Sequence, residues 1–464
     1  MTDCLTQYYR CPERYVRFIP KEPSSAASGF FRFGDEAICY GSYCGKPPAQ
    51  SSSGPLRDAL RDVLIEDGAI YLPFDPSAVV ENLRRETYMG DWRRGKTVSA
   101  LARLYYLLRP VLSVGVRKHL QKLHLRGWDK LSFPRWPVDC SVDNLLEKLL
   151  LLSLQSGGIE RIPFIWFWPE GGSSCAIMTH DVETRQGRDF CSTLMDIDDS
   201  FGVKSSFQVI PEERYDVSPE FLRSIRERGF EVVVHDLNHD GHLYKDRKRF
   251  LERAVKINAY GKEYGAEGFR AGVLYRKQLW YDALDFAYDM SVPNVARLDP
   301  QHGGCCTVMP YFMDHILELP VTTTQDYTLF NILNDYSPRI WEAQIEIIMQ
   351  KHGLMSFIAH PDYIAAPRER QVYEKLLGDL VQLREHKGVW ITTPGEVNRW
   401  WRQRAEMELV EDREGWHIEG PGKERARLAY ATEEAGRLVL TVQETQDEAL
   451  HSVSRPSSNG KGKG

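Results

Sequence analysis

Short apolar runs alternate with amphipathic stretches over residues 172–402, a pattern that predicts a parallel sheet built from strand–helix units. The predicted strands are Cys175–Thr179, Ser205–Ile210, Glu231–His235, Gly268–Arg270, Ser291–Asn294, Ile316–Pro320, Leu354–His360 and Val389–Thr392. The predicted helices are Arg188–Phe201, Pro219–Arg228, Asp246–Tyr264, Arg276–Tyr288, Pro338–His352 and Glu369–His386. Seven or eight strands in this arrangement predict an α/β fold, namely a (β/α) barrel that is incomplete if only seven strands form.

The regions on either side of the predicted barrel lack its regular alternation of strands and helices. Residues 1–171 contain Pro-, Ser- and Gly-rich loop signals and predict an irregular, partly helical N-terminal domain. Its amphipathic stretches are Ser99–Leu108, Val111–Leu125 and Val142–Leu154. Residues 403–450 predict a small β element of two or three strands, and residues 451–464 predict a disordered tail because they lack apolar periodicity.

Composition excludes several classes of protein. The chain has 464 residues, 42% of them hydrophobic, which is enough for a large buried core and excludes a disordered or fibrous chain. The 59 basic and 65 acidic residues give a net charge of −6, so nothing global indicates a nucleic-acid partner. The oligomeric state is not indicated by any of these numbers.

Cysteine usage and the start of the chain bear on location. Nine cysteines, an odd number scattered along a long chain, predict mostly reduced thiols rather than a disulfide framework. Residues 1–15 carry four charged side chains and no apolar run of secretory type. We therefore expect a cytoplasmic protein.

One segment suggests contact with a surface. Residues 84–130 hold twelve Lys or Arg residues against three acids, interleaved with aromatic residues. Such a segment could contact an anionic membrane peripherally or an acidic glycan, and the alternative is a helical subdomain with a solvated basic face. Arg103, Arg109 and Pro110 interrupt its most apolar stretch, which argues against a membrane-spanning helix.

Polar residues follow the predicted strands, where barrel enzymes carry their catalytic groups. Asp181 and Glu183 end the first strand, His235 and His239 follow the third, Arg270 ends the fourth and His360 follows the seventh. Two histidines and a carboxylate from another strand are a ligand set that suits a divalent metal and leaves positions for water. Two histidines four residues apart are also compatible with a structural or surface role. His242, in a predicted loop, is expected to be exposed.

In order along the chain, these motifs resemble those of the polysaccharide deacetylase family, also called the NodB-homology or carbohydrate esterase family four domain. The matching segments are Thr179–Glu183, His235–His239, Phe269–Gly272 and Ile358–Asp362. The resemblance covers about residues 172–402. It implies a hydrolase of carbon–nitrogen bonds other than peptide bonds, which removes N-acetyl groups from a glycan or a glycan precursor.

The resemblance also implies roles for individual residues. Asp181 would be the catalytic base and His360 the acid, and His235 and His239 would hold the metal. Zinc is the expected ion, with cobalt, manganese or nickel as alternatives. Glu183 would be the third ligand, although Val182 stands where the common motif has its second aspartate.

Two further motifs depart from the family pattern. Arg270, Ala271 and Gly272 stand where Arg-x-Pro is usual, and Arg270 is expected to pair with Asp181, either to keep that carboxylate ionised or as a plain structural ion pair. Asp289 is the candidate for the acid that orients His360.

Two other functions remain open at this point. The departures in the first and third motifs are compatible with a catalytically silent domain that binds glycan or scaffolds its assembly. The change at Val182 and Glu183 is also compatible with a metal-independent amidohydrolase that acts on a small substrate.

Several aromatic residues and cysteines have two interpretations. Trp136, Trp166, Trp168 and Tyr363 either stack on sugar rings or pack between domains, and we expect packing for Trp166 and Trp168 and sugar contact for Tyr363. Cys305 and Cys306 are expected to be structural, since the motifs already assign the histidines that could activate a thiol.

Overall fold

A computed structural model describes residues 4–21, 27–45, 48–90 and 131–443. Two predicted helices, Ser99–Leu108 and Val111–Leu125, lie outside the described residues. So do most of the basic segment 84–130 and the whole of the tail 451–464, so both of those expectations stay predictions.

The N-terminal region contains more strands than its sequence pattern predicts. Its elements are α1 (Cys4–Tyr9), β1 (Phe18–Pro20), β2 (Ser28–Phe33), β3 (Ala37–Ser42), β4 (Leu64–Glu66), β5 (Ala69–Leu72), α2 (Pro76–Arg84), α3 (Ser141–Gly157) and β6 (Arg161–Ile165). Strands β2 and β3 form an antiparallel hairpin, and β1, β5 and β4 form a second small sheet. Between 142 and 154 the predicted helix is present as part of α3, whereas the short strands give no sequence signal because each pairs over only three to six residues.

Helix α3 anchors the N-terminal core. Its leucines at positions 145, 146, 149 and 150 recur at three- and four-residue spacing and are fully buried. The side chain of Asp143 in its first turn accepts hydrogen bonds from Thr307 (2.8 Å) and from the backbone of Val308 (3.1 Å). The helix therefore joins the N-terminal core to the barrel through both apolar and polar contacts.

The central region is an incomplete (β/α) barrel, so the predicted fold class is confirmed. Its strands are β7 (Cys175–Val182), β8 (Ser206–Val209), β9 (Glu231–His235), β10 (Gly268–Arg270), β11 (Tyr288–Asp289), β12 (Tyr311–Met313), β13 (Ile316–Glu318), β14 (Leu354–Ala359) and β15 (Trp390–Thr392). The strand order is β12-β13-β11-β10-β9-β8-β7-β14, with β15 also paired to β7 and only β12 antiparallel to its neighbour.

Helices cover the outside of this sheet and bury its outward-facing apolar residues. They are α4 (Arg185–Ser200), α5 (Pro219–Arg226), α6 (Arg247–Tyr264), α7 (Arg339–Gln350), α8 (Pro361–Ile364), α9 (Pro367–Lys387) and α10 (Pro394–Glu406). Within the described part of the chain, no helix has both the length and the apolar character that crossing a membrane requires.

Two predicted elements of the barrel are wrong. The strand predicted at Ser291–Asn294 is instead the two-residue strand β11, and the helix predicted at Arg276–Tyr288 is a single 3-10 segment, Gln278–Ala283. Directly after β11, carboxylates accept the backbone N–H groups, because Asp289 accepts from Ser291 (2.9 Å) and Glu318 accepts from Val292 (2.9 Å). Backbone pairing then continues only as an isolated bridge between Pro293 and Val321. The periodicity of apolar residues in a segment does not predict that a side chain from a neighbouring strand will accept its backbone hydrogen bonds.

The two ends of the open barrel meet at a seam, which we define as the contact between residues 321–324, beyond β13, and strand β14. Threonine hydroxyl groups close this seam in place of a backbone ladder. The hydroxyl of Thr322 donates to the carbonyl oxygen of Leu354 (2.7 Å) and accepts from the backbone N–H of Ser356 (2.9 Å). The hydroxyl of Thr323 donates to the carbonyl oxygen of Ser356 (2.7 Å).

The C-terminal β element has four strands, one more than the upper limit of the prediction: β16 (Glu408–Glu411), β17 (Trp416–Glu419), β18 (Leu428–Glu434) and β19 (Arg437–Val442). Strand β18 pairs with β19 and also, antiparallel, with β6 from the N-terminal region. The buried guanidinium of Arg404 donates to backbone carbonyl groups of Tyr8, Ile165 and Trp166. The ends of the described chain are thus joined, while the domain boundaries at 171 and 402 stay predictions.

Candidate active site and metal centre

The candidate site lies at the carboxyl ends of the barrel strands, on the inner face of the sheet. Side chains alternate along β7, so Thr179 and Asp181 point inward and His180 points outward toward the helices. Glu183 follows directly after β7, and His235 ends β9. The parallel strand order brings these ends to one mouth.

Asp181 and Arg270 form a buried ion pair at this mouth. The guanidinium of Arg270 donates to Oδ1 of Asp181 (2.6 Å) and to the hydroxyl of Thr179 (2.8 Å). Burial would by itself raise the pKa of Asp181, but Arg270, with His235 and His360, holds that pKa below its usual value. Asp181 is therefore an ionised carboxylate that is fixed in orientation.

His235, His239 and Glu183 bring two nitrogen atoms and a carboxylate together. Oε1 of Glu183 lies 2.9 Å from Nε2 of His239 and 3.7 Å from Nε2 of His235. Both Nε2 atoms are buried and have no partner with hydrogen-bond geometry among the described residues. One ligand atom from each of the three side chains lies within 4.8 Å of the other two.

The tautomer of His235 suits a cation ligand. Its Nδ1 lies 3.1 Å from the backbone carbonyl oxygen of Arg270, so Nδ1 carries the proton and Nε2 presents a lone pair to the site. Glu183 raises the pKa of His239 against the opposing effect of burial. Burial would raise the pKa of Glu183, but the surrounding imidazoles hold it well below its usual value. Two buried ring nitrogen atoms beside one carboxylate therefore fit a divalent cation. Binding of the cation would displace the proton that Glu183 stabilises on His239.

The departure from Arg-x-Pro in the third motif has a structural reason here. A Cβ atom at Gly272 would lie 2.8 Å from Cδ2 of His239 and 2.6 Å from a carboxylate oxygen of Asp236. His239 itself adopts a left-handed backbone conformation, with φ of 54°, which turns its ring back into the mouth. A residue without a side chain at 272 thus allows the His239 ring to reach Glu183.

His360 stands opposite these groups and is held by an acid that the sequence analysis missed. Its Nδ1 lies 2.6 Å from Oδ1 of Asp326, and its backbone N–H donates to Oδ2 of Asp326 (2.7 Å). Its Nε2 lies 3.6 Å from Oε1 of Glu183. Burial would lower the pKa of His360, but Asp326 holds that pKa well above its usual value. His360 is therefore poised as a proton donor.

The prediction that Asp289 orients this histidine is wrong. Asp289 accepts hydrogen bonds from the backbone and hydroxyl of Ser291 and lies beside Glu318, its register partner in the parallel pair of β11 and β13. The signal that could have identified Asp326 is the polar run Thr322–Gln325 before it, although Asp326 lies eight residues beyond the end of β13, whereas the other site residues end or closely follow their strands.

The structure also shows the positions of the histidine and aromatic residues that the sequence singled out. The imidazole of His242 is 53% exposed and pairs with Asp240, away from the ligand set. Trp166 and Trp168 are buried in the core and donate to backbone carbonyl groups. The ring of Tyr363 lies 5.1 Å from that of His360, at the mouth.

The two cysteines in the loop before β12 are buried. Burial raises the pKa of both Cys305 and Cys306, which keeps them as thiols and fits a structural role. No disulfide bond joins any of the nine cysteines, all of which lie in the described residues.

No protein-family model matches the sequence, and no curated protein matches it. Among solved structures, the chain is similar to a putative polysaccharide deacetylase from Mycobacterium smegmatis, with 18% identity and a TM-score of 0.42 over 51% of this chain and 93% of that one.

Two further solved structures are similar to about half of the chain. Puue allantoinase has 12% identity and a TM-score of 0.41 over 51% of this chain and 92% of that one. The peptidoglycan deacetylase PdaC from Bacillus subtilis has 11% identity and a TM-score of 0.33 over 50% of this chain and 93% of that one.

Proposed function

We propose that this protein is a metal-dependent hydrolase of carbon–nitrogen bonds other than peptide bonds, which removes N-acetyl groups from a glycan or a glycan precursor. The observation that carries the proposal is the convergence of the buried Nε2 atoms of His235 and His239 on one carboxylate, Glu183, beside a buried Asp181–Arg270 pair. The resemblance of the four motifs supports the same class of reaction.

The residues that would hold the metal are His235, His239 and Glu183. Zinc suits two imidazoles and a carboxylate, and cobalt, manganese and nickel accept the same donor types. When bound, a divalent cation would polarise the acetamide carbonyl and stabilise the charge that develops on its oxygen.

Asp181 is the base of the first proton transfer, and Arg270 supports it. Asp181 accepts a proton from the water that attacks the acetamide carbon, and Arg270 keeps the carboxylate ionised until that step. Thr179 takes no part in the reaction itself. Its hydroxyl accepts a second hydrogen bond from the guanidinium of Arg270 and so fixes the orientation of that group. The base is thus positioned by two contacts that lie inside the barrel.

His360 completes the reaction. Its Nε2 faces the site while Nδ1 is engaged by Asp326, so Nε2 can donate a proton to the departing amine nitrogen. A carbon–oxygen bond forms and the carbon–nitrogen bond breaks, which yields acetate and a free amino sugar. Tyr363, whose ring lies beside His360, offers an aromatic face to the sugar.

Location and partners are part of the proposal. Nine cysteines without a disulfide bond in the described structure support a reducing compartment, and the cytoplasm is the location we propose. A cytoplasmic enzyme would act on an oligosaccharide or on a lipid-linked or nucleotide-linked precursor. Peripheral membrane contact through residues 84–130 would fit a lipid-linked one.

The first experiment measures divalent metal per chain by elemental analysis of gently purified protein. We expect close to one metal per chain in the parent and loss of that metal in a His235→Ala, His239→Ala double variant. His242→Ala is the matched control, because this exposed imidazole follows the same strand but lies outside the ligand set. Acetate release from N-acetylated glycans, abolished by a chelator and restored by zinc, then tests the reaction.

Other outcomes identify the alternative functions. Acetate or amine release that a chelator does not affect would favour a metal-independent amidohydrolase. Glycan binding without turnover, retained in the double histidine variant, would favour a silent binding domain. Equal metal content in the parent and the double variant would contradict the ligand set.

A further inference from the structure

The chain between β8 and α5 contacts both parts of the molecule that carry the candidate ligands. We define the bridging segment as residues 212–215, which follow β8 and precede α5. It makes hydrogen bonds to the end of β7 on one side and to the loop after β9, residues 236–242, on the other. Glu183 follows β7 and His239 lies in that loop, so the bridging segment lies where it can fix the separation of the two side chains.

Tyr215 holds the end of β7. Its hydroxyl donates to the backbone carbonyl oxygen of Val182 (2.6 Å), the residue before Glu183. The same hydroxyl accepts from the backbone N–H of Ile210 (2.9 Å), the residue after β8. One side chain therefore fixes the backbone from which Glu183 extends.

Two other residues of the bridging segment hold the loop after β9. The guanidinium of Arg214 donates through Nε to the carbonyl oxygen of Asn238 (3.2 Å) and through Nη2 to that of His239 (2.7 Å). The backbone N–H of Glu212 donates to the carbonyl oxygen of Leu237 (2.9 Å). The bridging segment thus engages three successive carbonyl groups of the loop.

The loop adopts a backbone conformation that needs such support. Asp236, His239 and Gly241 all have left-handed φ angles, of 58°, 54° and 72°. Residues other than glycine rarely adopt these angles, because their Cβ atom approaches the backbone too closely. If the contacts to its carbonyl groups were lost, the loop would relax and would no longer hold the ring of His239 toward Glu183.

The charge of Arg214 does not explain its position. Nη2 of Arg214 lies 2.7 Å from the carbonyl oxygen of His239, and a positive charge so close to a cation site opposes cation binding. If Arg214 acted through its charge, its removal would tighten binding of a divalent cation. If it acts by holding the loop, its removal would weaken binding. The two roles therefore predict effects of opposite sign.

Other contacts keep the rest of the site in place when Arg214 is removed. Arg253 of α6 donates to both carboxylate oxygens of Asp240 (2.7 and 2.6 Å), which anchors the far end of the loop. His235 is fixed separately, through the carbonyl oxygen of Arg270 (3.1 Å). Arg214 itself lies at the surface. Its substitution should therefore disturb His239 without unfolding the barrel.

On these grounds, and resting on the proposed function, we propose that Arg214 and Tyr215 are positioning residues of the candidate metal centre. Arg214 holds the loop in the conformation that directs His239 toward Glu183. Tyr215 holds the strand end from which Glu183 extends. Ligands that are already in place bind a cation more tightly, because binding does not have to order them.

The test titrates Co²⁺ into metal-free, full-length protein and follows the visible absorption of the bound ion, which depends on the geometry of its ligands. Competition with a chelator of known affinity gives Kd. We expect Arg214→Met to weaken binding about 10-fold, as for other groups that orient metal ligands, and to alter the spectrum. Arg214→Lys should have an intermediate effect, because an ammonium group reaches one carbonyl but does not hold both in a fixed geometry. Arg223→Met, at an exposed position of α5, is the matched control and should bind as the parent does.

Tyr215→Phe is a second and milder variant. It keeps the ring but removes the hydrogen bond to Val182, so we expect Co²⁺ binding to weaken about 3-fold. Thermal unfolding of the metal-free proteins shows that each variant is folded. Unchanged affinity and spectrum in a folded Arg214→Met protein would overturn the proposal, and so would tighter binding. Parent-like binding by Tyr215→Phe would overturn the role of Tyr215.

The outcome also distinguishes this proposal from the proposed function. Co²⁺ binding that depends on Arg214, without acetate release by the loaded parent, would retain the positioning role and reject the deacetylase. Acetate release together with Co²⁺ binding that does not depend on Arg214 would do the reverse. Absence of Co²⁺ binding by the parent would reject both the ligand set and its positioning residues.

Discussion

Two groups of histidine and carboxylate side chains lie on opposite faces of β7, and the outer one also contains hydroxyl groups. The mouth cluster consists of Asp181, Glu183, His235, His239 and His360. The outer network consists of His180, Asp198, Ser205 and Tyr373, between the sheet and helices α4 and α9. His180 and Asp181 are neighbours in sequence, yet the alternation of the strand sends them to different environments.

The outer network is internally complete. Nε2 of His180 lies 3.0 Å from Oδ2 of Asp198, which also accepts from the hydroxyl of Ser205 (2.7 Å). Oδ1 of Asp198 accepts from the hydroxyl of Tyr373 (2.6 Å), and Nδ1 of His180 lies 3.2 Å from the carbonyl oxygen of Ala359. Each group uses its polar atoms within the protein, as a structural network does.

The mouth cluster also uses histidines and carboxylates, but it leaves ring nitrogens without a hydrogen bond. The Nε2 atoms of His235 and His239 are buried, and neither has a partner with hydrogen-bond geometry among the described residues, although Nε2 of His239 lies 2.9 Å from the carboxylate of Glu183. Since buried polar groups are almost always paired, such atoms indicate a missing partner. Residue type alone therefore does not separate the two groups, whereas their hydrogen bonds and the convergence of ring nitrogens on one carboxylate do.

The largest expected effect is on chemistry at the mouth. Asp181→Asn keeps an acceptor for Arg270 but removes the base, so we expect the rate of acetate release to fall about 10²- to 10⁴-fold. Acetate release from an N-acetylated glycan, with far-UV circular dichroism to confirm folding, measures the effect. Ser205→Ala in the outer network is the control and should keep the parent rate. Full activity in Asp181→Asn would contradict the assignment of the base.

A smaller effect is expected when the outer network loses its central acceptor. Asp198→Ala leaves His180, Ser205 and Tyr373 without their shared partner, and we expect the free energy of unfolding to fall by roughly 3 kcal/mol. Urea denaturation measures the loss. Metal content and KM of the folded protein should match the parent. Loss of metal from a folded Asp198→Ala protein would show that the two groups are not independent.

The smallest effect tests a single hydrogen bond of the outer network. Tyr373→Phe removes the hydroxyl that donates to Asp198 and keeps the ring, so the free energy of unfolding should fall by about 1 kcal/mol. Thermal denaturation measures the change, and acetate release should be unaltered. A stability equal to that of the parent would mean that the Tyr373 hydroxyl is dispensable and the network less complete than its distances indicate.

Local sequence patterns located much of the fold. Strands β9 and β10 begin and end where they were predicted, because each is a short apolar run that ends in a polar site residue. The prediction that Asp181, Arg270, His235, His239 and His360 share one rim agrees with their placement in the structure, while their catalytic roles stay predictions. Strand ends in a parallel barrel meet by topology, so this part follows from the chain order.

The rest depends on partners that are distant in sequence. Asp326 lies 34 residues before His360 in the sequence, and no periodic pattern predicts the contact between their side chains. Strand β6 has as its partner β18, and the side chains of Asp289 and Glu318 replace a predicted stretch of strand. Local patterns specify which residues are apolar, but they do not specify which distant acceptor or edge each one will meet.

The pairing of β6 with β18 has a consequence for the order of events during synthesis. Ile165 pairs with Leu428, so β6 leaves the ribosome about 260 residues before its partner strand, a delay of tens of seconds at about 5–20 residues per second. During that interval the edge of β6 that will pair with β18 is open to other nascent or misfolded chains. The sheet that contains β6 therefore forms only after β18 has been synthesised. We expect a chaperone that covers the edge of β6 until then to increase the yield of folded protein.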